Sequence, residues 1–286
     1  MFVLVGILVV FGSIIGGYLI EKGNLLVLVQ PAELITIGGA AIGSALIANP
    51  PAVIKRIVGG MMSSIKGSPY TKATFLETLK MLYEFFSHVS KVGMQTIEAE
   101  VDAPDKSPIL SKYPKFLADK TALAFVCDTI RTYSSGSMSQ HSLDHLMEID
   151  LESVEHEDQT PVSALASISD SLPGLGIVAA VLGVVVTMGS LGGPPEEIGH
   201  KVAAALVGTF LGILLCYGLV GPISSNMTKL NEGRAQYYQC IRQGLLSFLD
   251  GSSPILAVEF ARRSLPSDLR PTFKDLEDTC RNSKKE

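Results

Sequence analysis

The sequence predicts an all-α fold: a polytopic membrane protein with four transmembrane helices and a helical cytoplasmic domain. Three observations carry that expectation. Residues 172–191, LPGLGIVAAVLGVVVTMGSL, hold no charge over twenty positions, enough at about 1.5 Å per residue to cross a bilayer core of about 30 Å. The chain is 47% hydrophobic and only 18% charged, with mean hydropathy +0.34, too apolar for an ordinary soluble protein. Its apolar residues gather in some blocks and its charges in others, so membrane and water-soluble segments share one chain.

Taken in order, residues 2–20 (FVLVGILVVFGSIIGGYLI) form the first span. They lack the basic start and small-residue cleavage site of a signal peptide. Gly12 and Gly16, four apart, offer a close-packing face. The second span is Leu34–Ala48, fifteen uncharged residues reaching about 22 Å. That shortness leaves Glu33 either at an interface or tolerated inside. Asn49-Pro50-Pro51 ends the span.

From Lys55 to about Asp170 the chain is soluble in character. Phe75, Leu79, Leu82, Phe86 and Val89 make the apolar stripe of an amphipathic helix within residues 70–100. Further helices are expected over about 115–133 and 139–158. In the latter, His141 and His145 stand four apart with Glu148 beyond them. Half a metal site has that spacing, but no further ligand accompanies it, and this acidic run reads as a solvated face. The third span, 172–191, is followed by the linker GGPPEEIGHK and the fourth span, from Val202 to about Gly221. Ala204, Gly208, Gly212 and Cys216 recur there every four residues, a ladder that lets another helix approach. Residues 223–250 read as a polar helix. The expected divisions are 1–49 (first two spans), 50–170 (cytoplasmic helices), 171–223 (last two spans, the ion pathway) and 224–286 (helix and tail).

Several function classes are excluded. A formal net charge of −5 gives no footing for nucleic acid. Cys127, Cys216, Cys240 and Cys280 are scattered without metal-ligand spacing and read as reduced thiols. No phosphate loop, nucleophile elbow or zinc motif is present, so no enzyme chemistry, catalytic residue, cofactor or metal is expected. Lys55, Arg56, Lys66, Lys229 and Arg234 follow the second and fourth spans, whereas the short connections carry only Lys22 and Lys201. The middle segment, the tail and both termini are therefore expected on the cytoplasmic side.

An ion pathway usually carries an ionisable group inside the membrane. The last two spans have only Thr187, Ser190, Thr209, Cys216 and Tyr217 as internal polar side chains. Alone, they make a poor proton relay. Thr209 beside the ladder has two readings: a hydroxyl bonded to its own helix four residues back, or one member of a polar ring supporting a carboxylate on a partner helix. Pro173 and Pro222, on the same membrane side, are either helix punctuation or a hinge.

Four blocks, QPAELITIGGAAIGS, SLPGLGIVAAVLGVV, VGTFLGILLCYGLVGPIS and AVEFARRSLPSDLRP, closely resemble the MotA family of flagellar motor stator subunits, within the MotA/TolQ/ExbB proton channel superfamily. The resemblance implies a homopentamer around two copies of a MotB-like partner whose membrane Asp binds the ion. It implies a cytoplasmic-membrane location in the flagellar basal body, and a segment 50–170 that pushes on the rotor protein FliG. Pro173 and Pro222 match the family's two functional prolines, and Thr209 matches the threonine facing the partner's carboxylate. Sodium-driven relatives carry a second threonine where this chain has Ala180, so the transported ion is expected to be the proton. At the rotor face Glu98 matches the acidic position, but the expected arginine is replaced by Ser90, with Lys91 adjacent. A Lys does not reproduce the guanidinium fork. That departure leaves open whether the system is polar or lateral. The competing implications are an ExbB- or TolQ-like energiser with three spans, a sodium-driven stator, and a membrane scaffold without ion flow.

Overall fold

A computed structural model describes residues 2–136, 138–189 and 192–283. Among these the chain is helical and without strands: α1 (Phe2–Ile20), α2 (Leu25–Leu28), α3 (Pro31–Ala48), α4 (Pro51–Lys66), α5 (Lys72–Val92), α6 (Met94–Asp102), α7 (Pro114–Ala118), α8 (Lys120–Ser135), α9 (Gln140–Met188), α10 (Pro195–Leu215), α11 (Gly221–Leu249), α12 (Pro254–Arg263) and α13 (Phe273–Ser283). Four stretches are long and apolar enough to cross a membrane, beginning at Phe2, Leu25, Gln140 and Pro195. The contacts divide the chain into two compact units, residues 1–67 with 157–230 and residues 68–156 with 231–286.

In the first unit, none of the α1 residues is buried. A helix apolar all round and covered by protein on part of its surface only has lipid or further protein against the rest. Within the second span α3 starts at Pro31, earlier than the uncharged run from Leu34. Proline at the first helical position loses no bond there, and its early start draws Glu33 into the helix. The α3 residues that are buried are Glu33, Ile37, Ala41 and Ala45, one stripe at every fourth position. α10 likewise begins before its apolar run, because Pro195 opens it and Glu196 and Glu197 occupy its first turn, where carboxylates favour the positive helix end.

The separate helix expected over 139–158 is instead the start of α9, which runs 49 residues through Pro161 and Pro173. An interior proline strips the hydrogen bond from the carbonyl four residues earlier. At Pro161 that carbonyl belongs to Glu157, and Arg56 donates to it at 3.4 Å while pairing with the Glu157 side chain at 2.8 Å. The break signalled by proline is thus repaired by a residue a hundred positions away in sequence.

In the second unit the predicted stripe is the core: Phe75, Leu79, Leu82, Phe86 and Val89 are all at most 3% exposed. Phe86 stacks on Phe248 with centroids 4.4 Å apart. Gly93, at φ +85°, separates α5 from α6, a left-handed conformation suited to glycine. The stretch expected as one helix over 115–133 is two, divided at Asp119, whose carboxylate caps the Ala122 N–H. The block AVEFARRSLPSDLRP is structural here. Glu259 takes paired hydrogen bonds from Arg262 at 2.7 and 2.8 Å, Arg263 adds another at 2.7 Å, and Arg262 also holds the Pro271 carbonyl. All four cysteines are buried free thiols, and burial pushes Cys127 up to about 11.

Candidate functional site: the seam between the last two spans

The site begins with backbone. A Cβ on Gly212 would lie 2.5 Å from the Leu172 carbonyl, and one on Gly176 would lie 2.8 Å from the Gly208 carbonyl. Only glycine admits such an approach. The buried positions of α10 are Ala205, Val207, Gly208 and Gly212, so Ala205 takes the ladder position expected of Ala204. Gly208 is level with Ala179 and Ala180, since a Cβ there would lie 3.1 Å from both the Ala179 Cβ and the Ala180 nitrogen.

Thr209 and Ala180 therefore stand at one depth along this seam, both half-buried. The Thr209 hydroxyl makes no hydrogen bond among the described residues, so the bond to its own helix is not formed. Thr187 contrasts with it. That side chain is 2% exposed and donates to the Gly183 carbonyl at 2.8 Å. Ser190 lies outside the described residues. Tyr217 points away, 74% exposed.

Pro173 is half-buried within α9, and its missing N–H frees the Ser169 carbonyl. The Ser169 hydroxyl crosses to α10 and donates to the Cys216 carbonyl at 3.2 Å. Cys216 opens a five-residue π turn, Cys216–Val220; its carbonyl also accepts from the Gly221 N–H, and Pro222 follows Gly221. Such turns mark helices whose hydrogen-bond ladder is locally reset. The backbone ahead of Pro173 is thus tied to the π turn ahead of Pro222 by the Ser169–Cys216 hydrogen bond. Ser169, which sequence reasoning missed, makes it; its place four residues before Pro173 was the available signal.

For Glu33 the shortness of the second span left two places open, an interface or the interior. It lies inside: 9% exposed, with Oε2 2.6 Å from the position a Cβ on Gly208 would take and Oε1 3.5 Å from that of Gly183. Oε2 is buried without a hydrogen-bond partner.

The residues expected to meet the rotor fall in the second unit. Ser90 and Lys91, both exposed at the end of α5, line an open cavity of about 770 Å³ with Lys112, Arg281, Glu84 and Glu277. The Ser90 hydroxyl is turned back onto the Phe86 carbonyl at 2.9 Å. Glu98 is exposed on α6 and is not part of that lining. In the acidic stretch of α9, His145 and Glu148 are 3.8 Å apart and exposed. The described residues contain no group of three or more His, Cys, Asp or Glu arranged to hold a metal.

Four membrane-length helices, a seam of glycine contacts between the last two, and a separate helical unit define a polytopic helical membrane protein. The model of the motility protein A N-terminal region matches residues 4–93, and that of the MotA/TolQ/ExbB proton channel family matches residues 118–239. Motility protein A of Escherichia coli (strain K12) is 41% identical, the alignment covering 98% of this chain and 95% of the relative. Chemotaxis protein LafT of Vibrio parahaemolyticus is 34% identical, with 95% of each chain covered. Among solved structures, the C. jejuni MotAB structure matches with TM-score 0.76 at 18% identity over 95% of this chain and 98% of that one. The flagellar MotAB stator complex of Bacillus subtilis matches with TM-score 0.73 at 23% identity over 92% and 95%. The chain belongs to the motility protein A family. It is a stator subunit of the flagellar motor in the inner membrane, and not an enzyme.

Proposed function

We propose that this chain is the channel-walling subunit of a proton-driven stator, assembling as a homopentamer around two MotB-like chains that carry the membrane Asp. The observation that carries the reading is the unbonded Thr209 hydroxyl at the depth of Ala180. It can donate to the partner's carboxylate and hold it charged until a proton arrives. Ala180 supplies no oxygen, so the position lacks the ligands with which a dehydrated sodium ion would replace its water.

Protonation removes the partner's charge and the hydrogen bond that depends on it, which gives the seam two states. Pro173, Pro222 and the intervening Ser169–Cys216 bond are placed to pass that change into α9 and α11. Residues 50–170 form the rotor-facing domain, with Lys91 and Glu98 meeting FliG and Ser90 leaving room for Lys91. Residues 1–49 and 171–223 are the membrane domains, and 224–286 the supporting helix and tail. Both termini are cytoplasmic, as the lysines and arginines after the second and fourth spans require, and the complex sits in the basal body. The four membrane-length helices argue against a three-span ExbB- or TolQ-like arrangement.

The test uses a strain in which this chain and its partner are the sole stator. Pro173→Ala is expected to leave the complex assembled and abolish torque on a tethered cell. Normal rotation in that variant would refute the coupling role.

A further inference from the structure

We propose that Glu33 is a proton-exchanging carboxyl of this chain's own, placed beside the ion route at the depth of Thr209 and Ala180. The inference rests on the proton-driven reading above and extends it, because that reading puts the sole titrating carboxylate on the partner.

Three observations meet at this residue. The first is depth. Gly208 lies six residues into the uncharged run that starts at Val202, about 9 Å from its edge, and Gly183 lies eight residues before residue 191, about 12 Å from the other helix's edge. A carboxyl touching both is well inside the apolar layer, where an ionisable group marks a substrate or ion path by default. The second is reserved space. A methyl at Gly208 of α10 would collide with Oε2 at 2.6 Å, while Gly183 of α9, whose tight neighbour is Ala205, stands in ordinary contact with Oε1 at 3.5 Å. The third is the missing partner. Oε2 is buried and unbonded, although a buried carboxylate without hydrogen bonds costs several kcal/mol. A structural cross-link would spend that oxygen on a donor. This one is left for a ligand that comes and goes.

Among the described residues no other titratable side chain acts on the spot. α9 and α10 offer Gly183, Ala179, Ala205 and Gly208 there. The nearest ionisable groups in sequence on these helices are Lys201, His200, Glu196 and Glu197 toward the start of α10, and Cys216 two turns further on. The proton therefore comes from water. Hydronium from the side of the short loops gives its proton to Oε2, forming the neutral carboxyl and leaving water. The carboxyl then passes the proton to the partner's carboxylate, directly or through water and the Thr209 hydroxyl, and is itself a carboxylate again. Only O–H bonds form and break.

The test reconstitutes the full chain with its MotB-like partner in liposomes holding a pH dye, with an imposed potassium diffusion potential. Glu33→Gln keeps the shape and removes the exchangeable proton. It is expected to co-purify with the partner at wild-type yield and to lower proton flux about tenfold or more, a loss in the range of a removed acid–base group, with Glu33→Asp intermediate. Wild-type complexes that conduct no protons would overturn the stator reading itself. Conducting wild type with Glu33→Gln within twofold of it would overturn only this inference. Should Glu33→Gln fail to assemble, dicyclohexylcarbodiimide decides, since it adds to protonated carboxyls in apolar sites. Labelling of the Glu33 peptide by mass spectrometry, in complexes whose partner Asp is changed to Asn, supports the exchange role, and an unlabelled Glu33 rules it out.

Discussion

The two units are held together in opposite ways. The second buries large side chains against one another, with Phe75, Phe85 and Phe86 fully enclosed and Phe86 stacked on Phe248. The seam of the first unit brings backbone against backbone, with Gly176, Gly208 and Gly212 in place of side chains. Burial of aromatic area stabilises strongly and tolerates little change in volume. A backbone seam has few side chains to lock it, so hydrogen bonds such as Ser169–Cys216 decide its arrangement. The second unit resists any change in volume, whereas the arrangement of the seam turns on single hydrogen bonds.

Removing bulk from the first kind of contact gives the largest expected effect on stability. Phe86→Ala should destabilise the second unit by about 3–5 kcal/mol, read as early protease cleavage within residues 68–156 while the four spans stay inserted. Adding bulk to the second kind acts the other way round. Gly212→Ala places a methyl against the Leu172 carbonyl, an overpacking of about 1–3 kcal/mol. Torque should vanish while the proteolysis pattern of the second unit is unchanged. If Gly212→Ala rotates normally, the seam is not a close backbone contact in the assembled complex.

Much of this contrast was legible in the sequence. Periodicity alone located the stripe from Phe75 to Val89 and the glycine ladder of the fourth span, because each is a local pattern at helical spacing. The resemblance supplied Pro173, Pro222 and Thr209, and the structure brings Thr209 and Ala180 to one depth. What escaped were pairings between distant residues. Pro161 reads as a helix stop unless Arg56 is known to hold the Glu157 carbonyl. The length of its span left Glu33 at an interface or inside, and only the approach of Gly208 on another helix decides for the interior. Ser169 has no signature apart from its distance to Pro173. Each depends on which helix packs on which, and that information is absent from a single helix's pattern.

The comparison also predicts different responses to acid. The Glu259 carboxyl is held below its ordinary value, chiefly by the Arg262 hydrogen bonds, against the opposing effect of burial and with further help from Arg263. A depressed folded value means the stabilisation is fully present above the unfolded carboxylate value, about 4.3, and is lost as pH falls through the folded value. Thermal unfolding of the second unit should therefore steepen in its pH dependence on the acid side, and Glu259→Gln should flatten that slope while lowering stability at neutral pH. A variant that kept the wild-type acid slope would show that the ion pair does not set it.

The smallest energetic change tests the seam most selectively. Ser169→Ala removes the hydroxyl that reaches the Cys216 carbonyl, a bond worth about 1 kcal/mol, and leaves that carbonyl with the Gly221 N–H it already accepts. Assembly with the partner and proteolysis of the second unit should be indistinguishable from wild type. Torque should change, because under the proposed coupling this bond ties the backbone before Pro173 to the π turn before Pro222. A shift of about 1 kcal/mol alters a two-state population roughly fivefold, so rotation speed at fixed load should fall by a clear fraction without reaching zero. Ser169→Thr, which restores the hydroxyl, should recover it. Equal speeds in the alanine variant and wild type would mean that the two prolines act without this link between them.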